Sequence, residues 1–283
     1  MLKNVVIPHS YTLIKRGKTS LLLKEEYKDI LLRQGIENVE GFINKRKEKA
    51  TYLAGRTSHP SIPINGDTRM VIRRYSHGGL FRKFTRNLYL FGSRSFQELA
   101  LTEEIRSRGI PTIQPVVAIH QSTFFSFYRA YLLSLEISHS RDLIQFFKDL
   151  NTHPSRTALS LKRKIIRSAA LLLRQFHQAG FYHGDLQLKN ILVADGRVFL
   201  IDFDRSYRKR TLSIKERIDN LLRLNRSAEK WVRLGLPITW RDRLRFFSIY
   251  AGDDIEIRAG MKKAFRTYSL RTIMHRIGWA FGM

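Results

Sequence analysis

Cysteine is absent from this 283-residue chain, which excludes a disulfide framework, a thiolate zinc site and cysteine nucleophiles together. Long apolar runs are absent as well. No stretch approaches the roughly 18–20 residues that a membrane span needs. The opening MLKNVVIPHSYTLIKRG also lacks the apolar core of a secretory signal, so any membrane contact is expected to be peripheral. Acidic side chains are scarce: 24 Asp and Glu stand against 51 Lys and Arg, a formal net charge of +27. Such a surface seeks polyanions, whether nucleic acid, phosphorylated sugars or acidic lipid headgroups. The rest of the composition is ordinary. Hydrophobic residues at 43% exclude disorder and low complexity, and the length allows one large domain or two lobes around a cleft.

Residues 1–45 alternate short apolar runs with basic clusters and read as a strand pair and a helix, an extension packed on the strands downstream of it. Turn residues Asn65-Gly66-Asp67 ahead of Met70-Val71-Ile72-Arg73-Arg74-Tyr75 predict two strands joined by a turn. Ser95 is the candidate cap of a helix through Phe96, Leu99, Ala100, Glu103 and Ile105 that stops at Gly109. Strands at 113–119 and 127–137 would complete a mixed sheet carrying one helix. Beyond a linker at 138–141 the chain is mainly helical. One helix starts at Asp142, a second carries Leu161, Ile165, Ala169, Leu172, Leu173 and Phe176 and stops at Gly180, and a third starts near Ser213. Between the last two, the apolar runs 191–193 and 198–201 flank Asp195-Gly196, a hairpin dipeptide.

The chemistry is concentrated in His183-Gly184-Asp185 through Asn190, followed after the hairpin by Asp202-Phe203-Asp204. Taken singly, Asp185 and Asp202 would be turn residues, the commoner fate of a lone Asp. Around a predicted hairpin the set reads differently. A carboxylate, a carboxamide five residues on and a second carboxylate at a strand end can be read as a base and two magnesium ligands. All are hard oxygen donors suited to a cation that bridges ATP phosphates.

This pattern resembles the protein-kinase-like fold, and within it the lipopolysaccharide kinase family, in particular the bacterial kinases of 3-deoxy-manno-octulosonic acid (Kdo). The resemblance rests on His183-Gly184-Asp185 through Asn190, on Asp202-Phe203-Asp204 in place of Asp-Phe-Gly, on the run Arg73 to Leu80 and on Asn220-Leu-Leu-Arg-Leu-Asn-Arg-Ser227. It covers roughly residues 50–235. It implies a bilobal α/β (α+β) fold, with a small sheet-rich ATP-binding N-lobe at 46–138, a hinge near 138–141 and a larger helical C-lobe at 139–283. It implies that Asp185 orients and deprotonates an acceptor hydroxyl while Asn190 and Asp202 hold Mg2+. Glu98 would pair with a strand cation that grips the nucleotide phosphates, and His183 would brace the loop from within. The implied donor is ATP. The implied acceptor is a lipid-anchored anionic sugar, Kdo on Kdo-lipid A first, which would place the protein in the bacterial cytoplasm, peripheral on the inner membrane.

The chain departs from the common kinase pattern in places. Arg73 stands where Lys is usual, and because strand neighbours face opposite ways only one of Arg73 and Arg74 can turn toward Glu98. The resemblance implies Arg73 rather than Arg74, and an arginine fork can still grip a phosphate where Lys is usual. Gly55-Arg56-Thr57 occupies the place of the phosphate-covering loop without a full G-x-G-x-x-G. No Ala-Pro-Glu follows Asp204 before the next helix, which leaves little room for a peptide platform and favours a sugar over a protein.

Several polar residues are candidates for acceptor contact. On a helical wheel after Ser213, Arg217 and Asn225 fall on the apolar side, where a polar group needs a partner, so both are substrate candidates. Lys215, Arg223, Arg226, Lys230 and Arg233 gather on the other, solvated side. Arg205, with Arg208, Lys209 and Arg210, is expected to join Arg82, Lys83 and Arg86 in one basic rim that meets the acceptor and an anionic membrane surface. Residues 271–283 mix cations with Trp279 and Phe281 and would either lie in a membrane interface or dock on the core.

Two other readings stay open: a phosphotransferase for an aminoglycoside, another small alcohol or a protein, and a non-catalytic basic module for membrane or nucleic acid. A charge of +27 argues against cationic antibiotics. The joint presence of Asp185, Asn190 and Asp202 argues against a mere binding module. Nucleic acid is not favoured, because the basic patches lack the aromatic interleaving of a stacking platform.

Overall fold

The computed structural model describes residues 6–53, 59–75, 89–90, 92–123, 127–152 and 155–266. The chain divides into two compact units, one comprising Met1–His139 with Leu200–Ser206, the other Ser140–Phe199 with Tyr207–Met283.

The first unit is built on one sheet. Its strands are β1 (Tyr11–Arg16), β2 (Thr19–Lys24), β3 (Thr51–Leu53), β4 (His59–Asn65), β5 (Thr68–Arg74), β6 (Tyr89–Leu90), β7 (Pro115–Ser122) and β8 (Phe127–Leu135). They follow the order β1-β2-β7-β8-β5-β4-β3, with β6 paired to β8. Successive side chains go to opposite faces. Leu21, Leu23, Val117, Ile119, Tyr131 and Leu133 meet Leu31, Val39 and Phe42 from α1 (Glu25–Arg33) and α2 (Val39–Asn44). Leu22, Ala118, Ala130 and Leu132 meet Phe96 and Leu99 from α3 (Arg94–Ser107).

This corrects three expectations. The pairings among the described strands of this sheet are antiparallel rather than mixed. Residues 1–45 are not an appended extension, since β2 lies between β1 and β7 and the helices after it cover a whole face. Strands buried on both faces carry continuous apolar runs and no alternation from which a cover on each side could be read. Ser93, not Ser95, holds the cap position of α3, and the buried Ser95 hydroxyl donates instead to the Ile119 carbonyl of β7 at 3.0 Å.

The second unit opens at β9 (Arg141–Asp142), where the Asp142 carboxylate accepts from the Gln145 amide at 2.8 Å and so starts α4 (Leu143–Thr152). The long α5 (Arg156–Gln178) buries Ile165, Ala169, Leu172, Leu173 and Phe176. It stops at Gly180, whose φ is +85° and where a Cβ would fall 2.0 Å from the Lys209 carbonyl oxygen, so the backbone crossing there requires glycine. Beside it β10 (Phe181–Tyr182) pairs with β13 (Tyr207–Arg208).

The expected hairpin joins β11 (Ile191–Ala194) to β12 (Arg197–Leu200). Asp195 and Gly196 are both left-handed, at φ +49° and +70°, as a two-residue type I′ turn needs. Capping boxes at Ser213/Glu216 and Thr239/Asp242 start α6 (Ile214–Arg233) and α7 (Trp240–Ala251). A last described helix covers 255–266. At Leu200 the chain rejoins the first unit. The Leu200 amide donates to the Pro111 carbonyl at 3.1 Å, and the Thr112 hydroxyl donates to the Leu200 carbonyl at 2.6 Å.

Candidate active site

The register of β5 on β8 separates the two arginines: Arg73 opposes Leu132, on the α3 face, and Arg74 opposes Tyr131, on the other. Arg74 reaches Glu40 of α2 at 3.6 Å. Arg73 forks between two carboxylates, with Nη1 2.6 Å from Glu98 Oε1 and Nη2 2.7 Å from Asp202 Oδ1. Glu98 is buried and heavily bonded, since it also accepts from the Tyr75 hydroxyl and, at 3.1 Å, from the Phe203 amide. Burial pushes its carboxyl up to about 7, against the pull of the Arg73 guanidinium.

Asp202 sits at φ +66°, a left-handed conformation that Asp tolerates better than most residues. Asp204, at the position where protein kinases carry glycine, is bound by two nitrogens of Arg94, the first residue of α3, with Nε at 3.1 Å from Oδ1. Residues 202–204 are thus tied to α3 at three points: through Arg73, through the Phe203 amide and through Arg94.

In the second unit the loop around Asp185 is braced from below. His183 is fully buried, and its Nδ1 accepts from the Asp185 amide at 3.1 Å. Asn220 of α6 accepts from the His183 amide at 3.2 Å and donates to the His183 carbonyl at 2.8 Å. Behind Asn220 stands His177, 3.0 Å away through Nε2, with its Nδ1 2.7 Å from the Tyr250 hydroxyl. Burial lowers the His177 pKa to about 4, so the ring is neutral. Ser227, further along α6, accepts from the Leu188 amide at 3.2 Å.

The Asp185 side chain is 36% exposed, and its Oδ1 takes the Gln187 carboxamide at 2.5 Å. Lys189 Nζ lies 3.6 Å from Oδ2 and Arg223 Nη1 3.5 Å from Oδ1. Burial works to raise the Asp185 pKa, but the Gln187 bond and these two cations outweigh it and hold the carboxyl below its ordinary value.

Each of the two expected magnesium ligands, one in each unit, keeps an oxygen of the type that a hard cation takes. Asn190 spends its amide nitrogen on the Asp185 carbonyl at 2.7 Å, which leaves Oδ1 to accept. Arg73 engages only Oδ1 of Asp202. Among the described residues the second Asp202 oxygen and the Asn190 oxygen carry no protein bond, and both are of the type that magnesium takes.

Other residues singled out in the sequence are placed differently. Gly55, Arg56, Thr57, Arg82, Lys83, Arg86 and 271–283 lie outside the described residues. The partners that Arg217 and Asn225 needed come from within the second unit. Arg217 donates to the Tyr250 hydroxyl at 2.9 Å and meets Asp254 at 3.4 Å, while Asn225 bonds Glu229 at 3.0 Å and Arg243 at 3.4 Å. Arg217 therefore backs the His177–Asn220 chain, and the helix α6 residue beside Asp185 is Arg223, which the wheel placed in solvent.

Lys209 is committed to Glu216 at 2.6 Å and Arg208 to the Ala179 carbonyl at 3.3 Å. Arg205 is exposed at φ +60° and lines a cavity of about 850 Å³ beside α3. Sequence reasoning also passed over Tyr75 and the Arg94–Asp204 pair, whose one signal was the carboxylate in the glycine position.

Comparison with known proteins identifies the family. The model of the lipopolysaccharide kinase (Kdo/WaaP) family matches residues 54–250. A curated protein of Vibrio cholerae serotype O1 named 3-deoxy-D-manno-octulosonic acid kinase is 36% identical over 170 residues, 58% of this chain and 67% of that one. A Vibrio vulnificus protein of the same name is 33% identical over 177 residues, 61% and 70% of the two chains. A solved structure described as WaaP in complex with acyl carrier protein superposes with a TM-score of 0.54 at 18% identity. It covers 87% of this chain and 98% of that one, a likeness of fold.

Proposed function

The chain belongs to the lipopolysaccharide kinase (Kdo/WaaP) family, an ATP-dependent sugar kinase by that membership, and from this premise we propose that it phosphorylates a hydroxyl of Kdo on a lipid-A-anchored acceptor. The observation that carries the reading is the Asp185 loop. A partly exposed carboxylate is held ionised and oriented by Gln187, on a loop pinned by Asn220 and Ser227. In this reading Asp185 takes the proton of the acceptor hydroxyl as that oxygen bonds the γ-phosphorus and ADP leaves. Arg73, braced by Glu98, grips the nucleotide phosphates. Asp202 and Asn190 would each give an oxygen to magnesium, which when bound neutralises phosphate charge.

No helix among the described residues is long and apolar enough to cross a membrane. A lipid-anchored acceptor therefore calls for peripheral approach to the inner leaflet, which the +27 charge supports. Incubation with ATP, magnesium and Kdo-lipid A should add one phosphate, read by mass spectrometry. Phosphate on an aminoglycoside or a protein and none on Kdo-lipid A would overturn the assignment.

Glu98 gives the reading a pH signature. Below about 7 its carboxyl takes up a proton and Arg73 loses that charged partner. MgATP affinity is expected to fall as pH goes from 8 to 6, and Glu98→Gln should flatten the profile. The linkage to stability runs the other way. The folded protein binds the extra proton between the ordinary value of 4.5 and about 7, so this group's contribution declines as pH rises through that window. A MgATP dissociation constant indifferent to pH in the wild type would remove Glu98 from nucleotide binding.

A further inference from the structure

Helix α6 turns a polar seam to the catalytic loop. Asn220 is bonded to both backbone groups of His183, and seven residues on Ser227 accepts from the Leu188 amide at 3.2 Å. Arg223 lies between them on the same side of the helix, at the i+3 position from Asn220, so the two attachments fix the stretch from which it projects. Its guanidinium ends 3.5 Å from Asp185 Oδ1, too far for a hydrogen bond, and its side chain is 41% exposed. Among the described residues that is the contact it makes, so most of its five N–H donors face solvent.

Placed there, the cation works against the base. A positive charge beside a proton acceptor does nothing to help it accept, so the base alone gives this arginine no purpose. The acceptor class supplies a use. An octulosonic acid brings a carboxylate along with its hydroxyls, and that carboxylate must come close to the negative Asp185. A planar fork projecting from a fixed stretch of helix offsets the repulsion and matches a carboxylate bidentately.

We propose that Arg223 reads the carboxylate of the acceptor sugar and so sets specificity for an acidic sugar over a neutral one, an assignment that rests on Kdo being the acceptor class.

The test compares a soluble Kdo glycoside with its methyl ester, in wild type and in Arg223→Gln. Wild type should favour the acid about ten- to a hundredfold in kcat/KM, the range of one charge-assisted contact. In Arg223→Gln the preference should vanish through a raised KM for the acid, with the KM for MgATP and the melting temperature at wild-type values. Arg223→Lys, which keeps a point charge, should fall between and carries the comparison alone if the Gln variant melts early. An intact acid preference in Arg223→Gln overturns the assignment, as does a rise in the MgATP KM matching that for the acceptor. So does a preference that follows a phosphate on the acceptor, tested with dephosphorylated Kdo-lipid A. A wild type that phosphorylates no Kdo acceptor overturns the proposed function itself. One that does so yet accepts acid and ester alike overturns only the role of Arg223.

Discussion

An Asp185→Asn enzyme is expected to lose about 10²–10⁴-fold in turnover, the usual worth of a positioned general base. The carboxamide keeps the size and the planar shape of the side chain but cannot accept the hydroxyl proton. The backbone bonds that place the loop do not involve the carboxylate: the amide of residue 185 goes to His183 and its carbonyl to Asn190. The melting temperature should therefore stay within a few degrees of wild type and MgATP binding should survive. Measured turnover within tenfold of wild type would falsify the assignment of Asp185 as base.

Asp202→Asn is the second large effect, and it separates charge from backbone. At φ +66° most side chains are strained, whereas Asn, like Asp, tolerates the left-handed region, so the exchange removes charge without forcing the turn open. Alanine would confound the two by adding roughly 1–2 kcal/mol of strain. Arg73 keeps its contact with Glu98, so nucleotide binding without magnesium should change little. The increment that magnesium adds to that binding should disappear, and turnover should fall by two orders of magnitude or more. A magnesium titration of nucleotide affinity that overlays the wild-type curve would sink the role of Asp202 as a metal ligand.

Where sequence and structure meet, the agreement has local causes. Asp195-Gly196, Ser213 with Glu216 and Asp142 are turn and cap residues whose partners lie within four positions, so their signal is complete in the chain itself. The choice of Arg73 over Arg74 needed only the alternation of a strand and a resemblance to locate the helix. The misses are tertiary. Ser95 looks like a cap, but α3 begins one residue before it and its hydroxyl donates to the Ile119 carbonyl of β7. On α6 the wheel was divided into one apolar and one solvated half. Asn220, Arg223 and Ser227 fall within ~60° of one another at the border of that division, where a second neighbour, the catalytic loop, needs polar partners and no apolar ones. Arg217 was read correctly as a polar group in want of a partner, but only the structure supplies Tyr250 from another helix.

The division of the first unit has a consequence in time. His139 and Ser206 are 67 positions apart, yet 200–206 belongs with Met1–His139. A ribosome adding ~5–20 residues per second completes that interval in roughly 3–13 s. Throughout it, Arg73, Arg94 and Glu98 exist while Asp202, Asp204 and the Phe203 amide that they bind do not. The nascent sheet must wait with a buried acid short of one donor and two arginines short of carboxylates. Only when Leu200 reaches Pro111 and Thr112 does the missing segment arrive. The amino-terminal half of this enzyme is therefore expected to emerge protease-sensitive and to tighten late, after most of the second unit's first helices have already been made.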